Sequence, residues 1–322
     1  MKINDVVYES VEVNEPVLIA LIESKPLQRL KNIEQYGIPK EYYLFPGFSR
    51  YDHCVGAMLL LRKLGASLEE QVAGLLHDVS HTAFSHVIDW VIGDPDKEDF
   101  QDKTHKEMIS KSEIPEILSK FGFDMSVTDI EKYSLLESEL PNLCADRVDY
   151  ALKEFHYWTN PEIVKLCLDS LRIYDGKMVF SSKAAAEAFG RNFMRCQMEH
   201  WGSTDTVVRY HLFSKLLKIG LDEKIIFMED FYHDDSHVIG KLKAGKNLEI
   251  NKMLNILSSK KTLLPNEDAP QTIKKKKFRY VDPEYVENDM LHRLSEADER
   301  YKDFLVEQRK INDKGVNVNL SI

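Results

Sequence analysis

A chain of 322 residues can hold one large or two modest domains around a sizeable core. Its formal charge of −10, from 43 Lys plus Arg against 53 Asp plus Glu, argues against a duplex-wrapping protein but leaves room for a local basic pocket. Four scattered cysteines with no CxxC pair argue against a disulfide framework or a thiolate zinc site; with no signal-peptide core and no apolar run of membrane-spanning length, a cytoplasmic protein without a membrane partner is expected.

Residues 2–13 alternate weakly and suggest a short hairpin. From Glu15 to Tyr36 the apolar residues fall at helical spacing, and Pro26 divides the run into two helices. Tyr42 to Ser49 reads as an aromatic loop with a Pro-Gly turn. A helix is expected from Asp52 to Leu64, then a turn in which Ser67 caps the following helix, with Glu70 three residues on. That helix carries His77 and Asp78, and residues 80–90 continue it or form a tight loop. The polar, acidic stretch 93–102 reads as a loop, and helices are expected at 104–111 and 113–121. The amphipathic run 143–152 places Asp146, Asp149 and Tyr150 on one helical face, which is either a solvated acidic face or a functional one. More helix is expected at 161–172 and 183–220, with a hairpin between them centred on Asp175-Gly176.

After about residue 221 the character changes. Residues 227–237 are acidic and aromatic, 241–246 and 274–277 are basic, and Pro265, Pro270 and Pro283 punctuate the stretch. These features suggest a smaller α+β or irregular subdomain over 221–322, following a helical domain over 1–220. Lys274 to Arg279 reads as a solvated charge run or as a binding site for phosphate or single-stranded nucleic acid. A charge-laced final helix is expected from Tyr285 to Lys310, packed on the surface or on a partner subunit.

The stretch that carries chemistry is His77-Asp78-x-x-His81-x-x-x-x-His86. An apolar run (Val72, Leu75, Leu76) feeds it, so the His-Asp pair should be buried, and a buried ionised Asp is costly unless it is paired or metal-bound. His77 and His81 are i,i+4 neighbours and would share a helical face. His53 and Asp146 sit on separate predicted helices. Two imidazoles and two carboxylates make a mixed N/O set that suits Fe, Mn, Co, Ni or Zn better than Ca. A metal there lowers the pKa of bound water and polarises a phosphoryl oxygen.

The motifs resemble those of the HD-domain metal-dependent phosphohydrolases, in the branch of the deoxynucleoside triphosphate triphosphohydrolases (dGTPase-like). Arg29-Leu30 with Ile33, Gln35 and Gly37 is similar to that branch's RLxxIxQxG. Tyr42 to Gly47 followed by Arg50-Tyr51-Asp52-His53 resembles its FPG loop and R-F-E-H motif. His77 to His86 resembles HDxGHxPFSH, Asp146 to Tyr150 resembles DKxDY, and Lys277 to Pro283 is similar to a basic segment before a V/I-D-P. The resemblance implies a mainly α fold: an HD-domain helical core, here with the smaller α+β C-terminal subdomain.

It also implies roles. His53, His77, Asp78 and Asp146 would bind a divalent ion, one of Fe, Mn, Mg, Co, Ni or Zn. Arg50 and Arg147 would hold phosphates; His81, His86 and His105 would line the triphosphate, with Asp89 orienting His86. His86 or His105 would donate a proton to the leaving oxygen. Gln35 and Tyr150 would contact the sugar, and Glu154 would face its 3′-hydroxyl. The implied substrate is a dNTP, cleaved by water to deoxynucleoside and inorganic triphosphate, in a homo-oligomeric enzyme. Several positions depart from the pattern: Ser80, Thr82 and Ala83 in the second motif, Lys106 after His105, Arg147 for Lys, Glu154 for Asp, and Tyr36 where a Leu packs on the sugar. Two other readings stand beside this one: an HD-domain nucleotidase or phosphodiesterase acting on another nucleotide or a nucleic-acid end, and a non-enzymatic binding module.

Overall fold

The computed structural model describes residues 1–266, 268 and 270–320. It is mainly α. Three helices position the site: Arg50–Lys63, Leu68–Leu76 and Ala145–Trp158. The first is fixed at its start by a capping box. Ser49 Oγ accepts the Asp52 N–H at 3.1 Å, and Asp52 Oδ2 accepts the Ser49 N–H at 2.9 Å. Gly65, at φ 77°, turns the chain into the second helix. Ser67 caps that helix by accepting the Glu70 N–H at 3.1 Å, as the spacing predicts.

The expected N-terminal hairpin pairs Lys2–Asp5 with Glu9–Glu12. The expected hairpin about Asp175-Gly176 pairs Leu171–Tyr174 with Lys177–Phe180. The helical run before the aromatic loop breaks at Ser24, and Pro26 starts the Lys25–Arg29 helix, where its missing N–H costs nothing.

Three local expectations are corrected. The helix expected to carry the His-Asp pair ends at Leu76 with His77 as its cap, so Asp78 lies outside it; of the two alternatives for the stretch that follows, residues 78–86 take the tight turns before a helix resumes at Val87. The reason lies far away in sequence. Arg29 donates to the carbonyls of Val79 and His81 at 3.0 and 2.7 Å, Ala83 N–H reaches Phe231 O at 2.8 Å, and Phe84 N–H reaches Asp235 Oδ1 at 2.7 Å. Tertiary partners thus replace the helical ladder. Next, the expected helix from Tyr285 begins as a hairpin, Glu284–Glu287 with Met290–Arg293. Asn288 and Asp289, at φ 51° and 59°, make the turn that suits a two-residue hairpin. The helix proper is Glu299–Asp313, capped by Asp298. Finally, the helical run 183–220 is interrupted: a π turn at Gln197–Trp201 separates Lys183–Cys196 from Thr204–Asp222.

The two hairpins that flank the second half join through a parallel pairing of Phe180 with Tyr285, giving a four-stranded sheet. Two apolar cores fill the interior. One holds Leu18, Met58, Leu75 and Phe189 together with Tyr285 and Tyr301; the other holds Tyr43 and Phe84 together with Phe231 and Leu257. Residues beyond 220 therefore pack in both. Among the described residues, no helix is long and apolar enough to cross a membrane.

Candidate metal centre and active-site pocket

His53 lies one turn into Arg50–Lys63, His77 ends Leu68–Leu76, and Asp146 opens Ala145–Trp158. Their tips converge. His53 Nε2 is 2.9 Å from Asp146 Oδ1 and 3.2 Å from His77 Nε2, and His77 Nε2 is 3.5 Å from Asp146 Oδ1. Asp78 closes the quartet, with its oxygens 3.6 Å from His53 Nε2 and 3.7 Å from His77 Nε2. Residues 93 positions apart in sequence thus face one point.

Each imidazole is oriented from behind. His53 Nδ1 is 2.7 Å from Asp149 Oδ2, and His77 Nδ1 is 2.7 Å from the Gly74 carbonyl. With Nδ1 held by an acceptor, each ring turns its Nε2 inward, which is how proteins orient histidines for a metal. Asp149 is itself anchored: its Oδ1 accepts from Lys153 Nζ at 2.6 Å and from Tyr8 Oη at 2.9 Å, and Lys153 also pairs with Asp5 at 3.2 Å. The whole network is buried. Gly56 makes room for it, since a Cβ there would lie 1.9 Å from Lys153 Nζ.

The electrostatics fit a cation. Burial opposes protonation of His77, but Asp78 and Asp146 outweigh it and lift the imidazole to about 9. Burial likewise opposes the charge on Asp146, and His53 and His77 overcome it to hold the carboxylate far below its ordinary value. Protons on the imidazoles balance the carboxylates; a divalent ion on the Nε2 atoms and carboxylate oxygens does so better. His53, His77 and Asp146 bring two imidazoles and a carboxylate close enough to hold a divalent ion, with the Asp78 carboxylate at the edge of the cluster, 3.6 Å from His53 Nε2.

A pocket of about 400 Å³ opens from this quartet. Its length follows one face of Ala145–Trp158, from Asp146 past Tyr150 to Glu154, and Gln35, Arg50, His81 and His86 stand on other walls. Eight residues of helix separate Asp146 from Glu154, roughly 12 Å. Arg50 is fixed by Asp78, by Ser85 Oγ at 3.0 Å and by the Gln35 carbonyl at 3.2 Å. Burial and the Arg50 charge lower His81 to about 4, and burial holds His86 well below its ordinary value, so both rings are neutral at pH 7. His81 Nε2 and His86 Nδ1 have no hydrogen-bond partner, although Asp78 and Asp89 oxygens lie 3.3 and 3.4 Å away.

Two sequence-predicted residues stand one layer back. His105 bonds Ser80 Oγ at 3.1 Å, and Asp89 accepts the Phe100 N–H at 3.1 Å. Arg147 is on the wall, but its guanidinium donates to the carbonyls of Asn142 at 2.6 Å and Ser138 at 3.1 Å. His200 on the wall is not among the residues expected from the sequence, whereas Lys276 and Arg279 belong to the run 274–279 that the sequence offers as a candidate phosphate site. His200 comes from the π turn, an irregularity that often marks a functional site. Lys276 and Arg279 come from the basic run, which leaves its short strand Ile273–Lys274 and crosses the pocket. That run was the one signal for them. Tyr8, Asp5 and Lys153 carried no local signal at all.

The HD domain family model matches residues 50–158. The chain is 35% identical over 306 residues to the uncharacterized protein YdhJ of Bacillus subtilis, covering 94% of each. It is 29% identical over 295 residues to the metal-dependent phosphohydrolase cns2 of Cordyceps militaris, covering 88% of this chain and 84% of that one. It is 36% identical over 104 residues to the human deoxynucleoside triphosphate triphosphohydrolase SAMHD1, covering 27% of this chain and 16% of that one.

Proposed function

The chain belongs to the HD-domain metal-dependent phosphohydrolases, and from that premise we propose that it hydrolyses a nucleotide at its phosphate, with a dNTP as substrate and inorganic triphosphate as product. The observation that carries this reading is the order of groups along one pocket wall. Asp146 stands at the metal quartet, Tyr150 one turn on, and Glu154 two turns on with Gln35 also on the wall. A nucleotide laid along that wall puts phosphate at the metal and sugar at Glu154.

His53, His77, Asp78 and Asp146 hold the divalent ion. When bound, the ion activates water and polarises a phosphoryl oxygen. The chain's own groups do the rest. Arg50, locked by three partners, presents a fixed guanidinium beside the phosphate. His81 and His86 offer unpartnered ring nitrogens, so each is free to bond a phosphoryl oxygen or the leaving oxygen without first breaking a bond. Burial raises the Asp89 carboxyl, 3.4 Å from His86 Nδ1, to about 7, so this pair can hold a proton near neutrality for the leaving oxygen.

The test is direct. Purified protein with Mn²⁺ is given each dNTP, and the products are separated by anion exchange. Deoxynucleoside with inorganic triphosphate is expected; pyrophosphate or orthophosphate alone overturns the reaction assignment.

A second reading has a specific observation behind it. Arg147, which the resemblance assigns to phosphate, spends its donors on the 138–142 loop, and Asp102, Glu137 and Glu139 line the same part of the pocket. Carboxylates there disfavour a tetra-anionic tail. A nucleotidase or phosphodiesterase acting on a less charged phosphate fits that wall, and release of orthophosphate from a nucleoside monophosphate supports it.

A further inference from the structure

The basic run lines the pocket, and its cations are not equivalent. Arg279 forms an ion pair with Glu98, and Lys277 Nζ donates to the Lys97 carbonyl at 3.1 Å. Lys276 differs. Its side chain is buried, and its Nζ lies 3.5 Å above the Tyr210 ring. Among the described residues, no carboxylate or carbonyl is hydrogen-bonded to it. A buried ammonium without an oxygen partner is costly and a ring face compensates only in part, so burial lowers the Lys276 amine to about 7 against the opposing pull of Glu98 and Glu154, and an anion bound beside it would restore its charge.

Its surroundings share that property. Glu154 Oε2, His200 Nδ1 and Tyr36 Oη line the same pocket, are buried, and have no hydrogen-bond partner. Burial drives the Glu154 carboxyl well above its ordinary value, against the opposing pull of Trp201, Arg279, Lys276 and Tyr36. Around Glu154, about two helical turns from Asp146, the pocket therefore gathers a buried amine with no oxygen partner and several hydrogen-bonding atoms without partners. A sugar hydroxyl answers some of these groups. It does not answer the ammonium.

We propose that this end of the pocket binds a second phosphate, carried on the 3′ side of the sugar, with Lys276 as its cationic contact. The substrate class is then a nucleotide phosphorylated on both sides of the sugar. A nucleoside 3′,5′-bisphosphate and the 5′ end of an oligonucleotide, whose next phosphodiester occupies the same place, share this chemistry. The inference rests on the phosphohydrolase reading of the site, and not on which phosphate product is released.

The experiment is calorimetric titration of the full, Mn²⁺-loaded chain with three probes: deoxyadenosine 5′-monophosphate, deoxyadenosine 3′,5′-bisphosphate and a 5′-phosphorylated dinucleotide. The bisphosphate is expected to bind at least about tenfold more tightly than the monophosphate, as one charge-assisted contact supplies. In Lys276→Met that ratio should collapse to within about twofold, while Lys276→Arg keeps most of it. The neighbouring exposed Lys275→Met should leave the ratio unchanged, which separates a contact from general charge attraction. A Lys276-dependent gain for the dinucleotide but not the bisphosphate supports the inference and names a nucleic-acid end as the source. Equal affinities in the parent protein overturn the inference and leave the phosphohydrolase reading standing, and this arm needs no variant to fold. A preference that survives in Lys276→Met also overturns it. If neither nucleotide binds and no phosphate product forms, both readings fall together.

Discussion

At the metal end of the pocket His53 and His77 spend Nδ1 on Asp149 and the Gly74 carbonyl, Asp149 is held by Lys153 and Tyr8, and Arg50 is locked by three partners. At the nucleoside end Gln35 Oε1, Tyr36 Oη, Glu154 Oε2 and His200 Nδ1 are buried with no partner. The first arrangement fixes ligands in advance, so that binding an ion requires no reorganisation. The second leaves polar groups whose cost is recovered only when a ligand bonds them. On the proposed reading, the difference locates specificity: the metal end would define the chemistry and the other end would select the molecule.

The largest effect should come from breaking the metal end at its first layer. Asp78→Ala removes a ligand and the partner of Arg50. Turnover should fall by at least about 10³-fold, beyond the 10–100-fold typical of the layer behind the ligands. Metal analysis of the purified variant checks the cause. Activity near that of the parent would remove the metal quartet from the mechanism.

Asp149→Asn probes the layer behind. It keeps the shape but weakens the acceptor that orients His53, and leaves Lys153 with Asp5 as its anion. Metal affinity should drop by about 10–100-fold, read by competition with a chelating dye. An unchanged affinity would mean that the anchoring of His53 is incidental.

The two ends also differ in how far the sequence discloses them. The convergence of His53, His77 and Asp146 is readable because metal chemistry restricts residue type and each sits within or at the end of a helix with a strong local pattern; Asp78 is carried with His77 just past a helix end. Ser67 with Glu70 is readable for the same kind of reason, since a cap is a local bond. The turn after Asp78 is readable only as one of two alternatives: its backbone is satisfied by Arg29, Phe231 and Asp235, and nothing within residues 78–86 records that. Asn288-Asp289 does carry a hairpin signal, but the charge pattern of the helix that follows conceals it. The nucleoside end is the least legible. His200 depends on a π turn, and Lys276 is one lysine in a run of four whose other members are exposed. Only tertiary placement separates it from its neighbours.

Arg147 stands between the two ends and shows which one owns it. If it serves the loop, Arg147→Met should lower stability by about 1–3 kcal/mol through lost charge-assisted bonds to Ser138 and Asn142. Arg147→Lys should not restore the melting temperature, because a point charge cannot hold two carbonyls in a fork. If it serves the phosphates instead, Lys should restore KM for the nucleotide. Thermal unfolding and KM, measured on both variants, separate the two.

The smallest effect sharpens the comparison most. Glu154 is buried at the nucleoside end, and burial raises its carboxyl well above 4.5, against the opposing pull of Trp201, Arg279 and Lys276. A carboxyl whose folded value is raised binds more protons in the folded chain than in the unfolded one. Its contribution to stability is full below the unfolded value and declines as pH rises toward the folded value. Glu154→Gln mimics the protonated form at every pH. The parent should therefore match the variant near pH 4.5 and lose ground above it, by at most about 1.4 kcal/mol per pH unit. Urea unfolding of both proteins across pH 5 to 9 reads that slope. A difference that stays flat would mean that Glu154 is charged and paired with Lys276, and then the nucleoside end is as closed as the metal end and has no second phosphate to wait for.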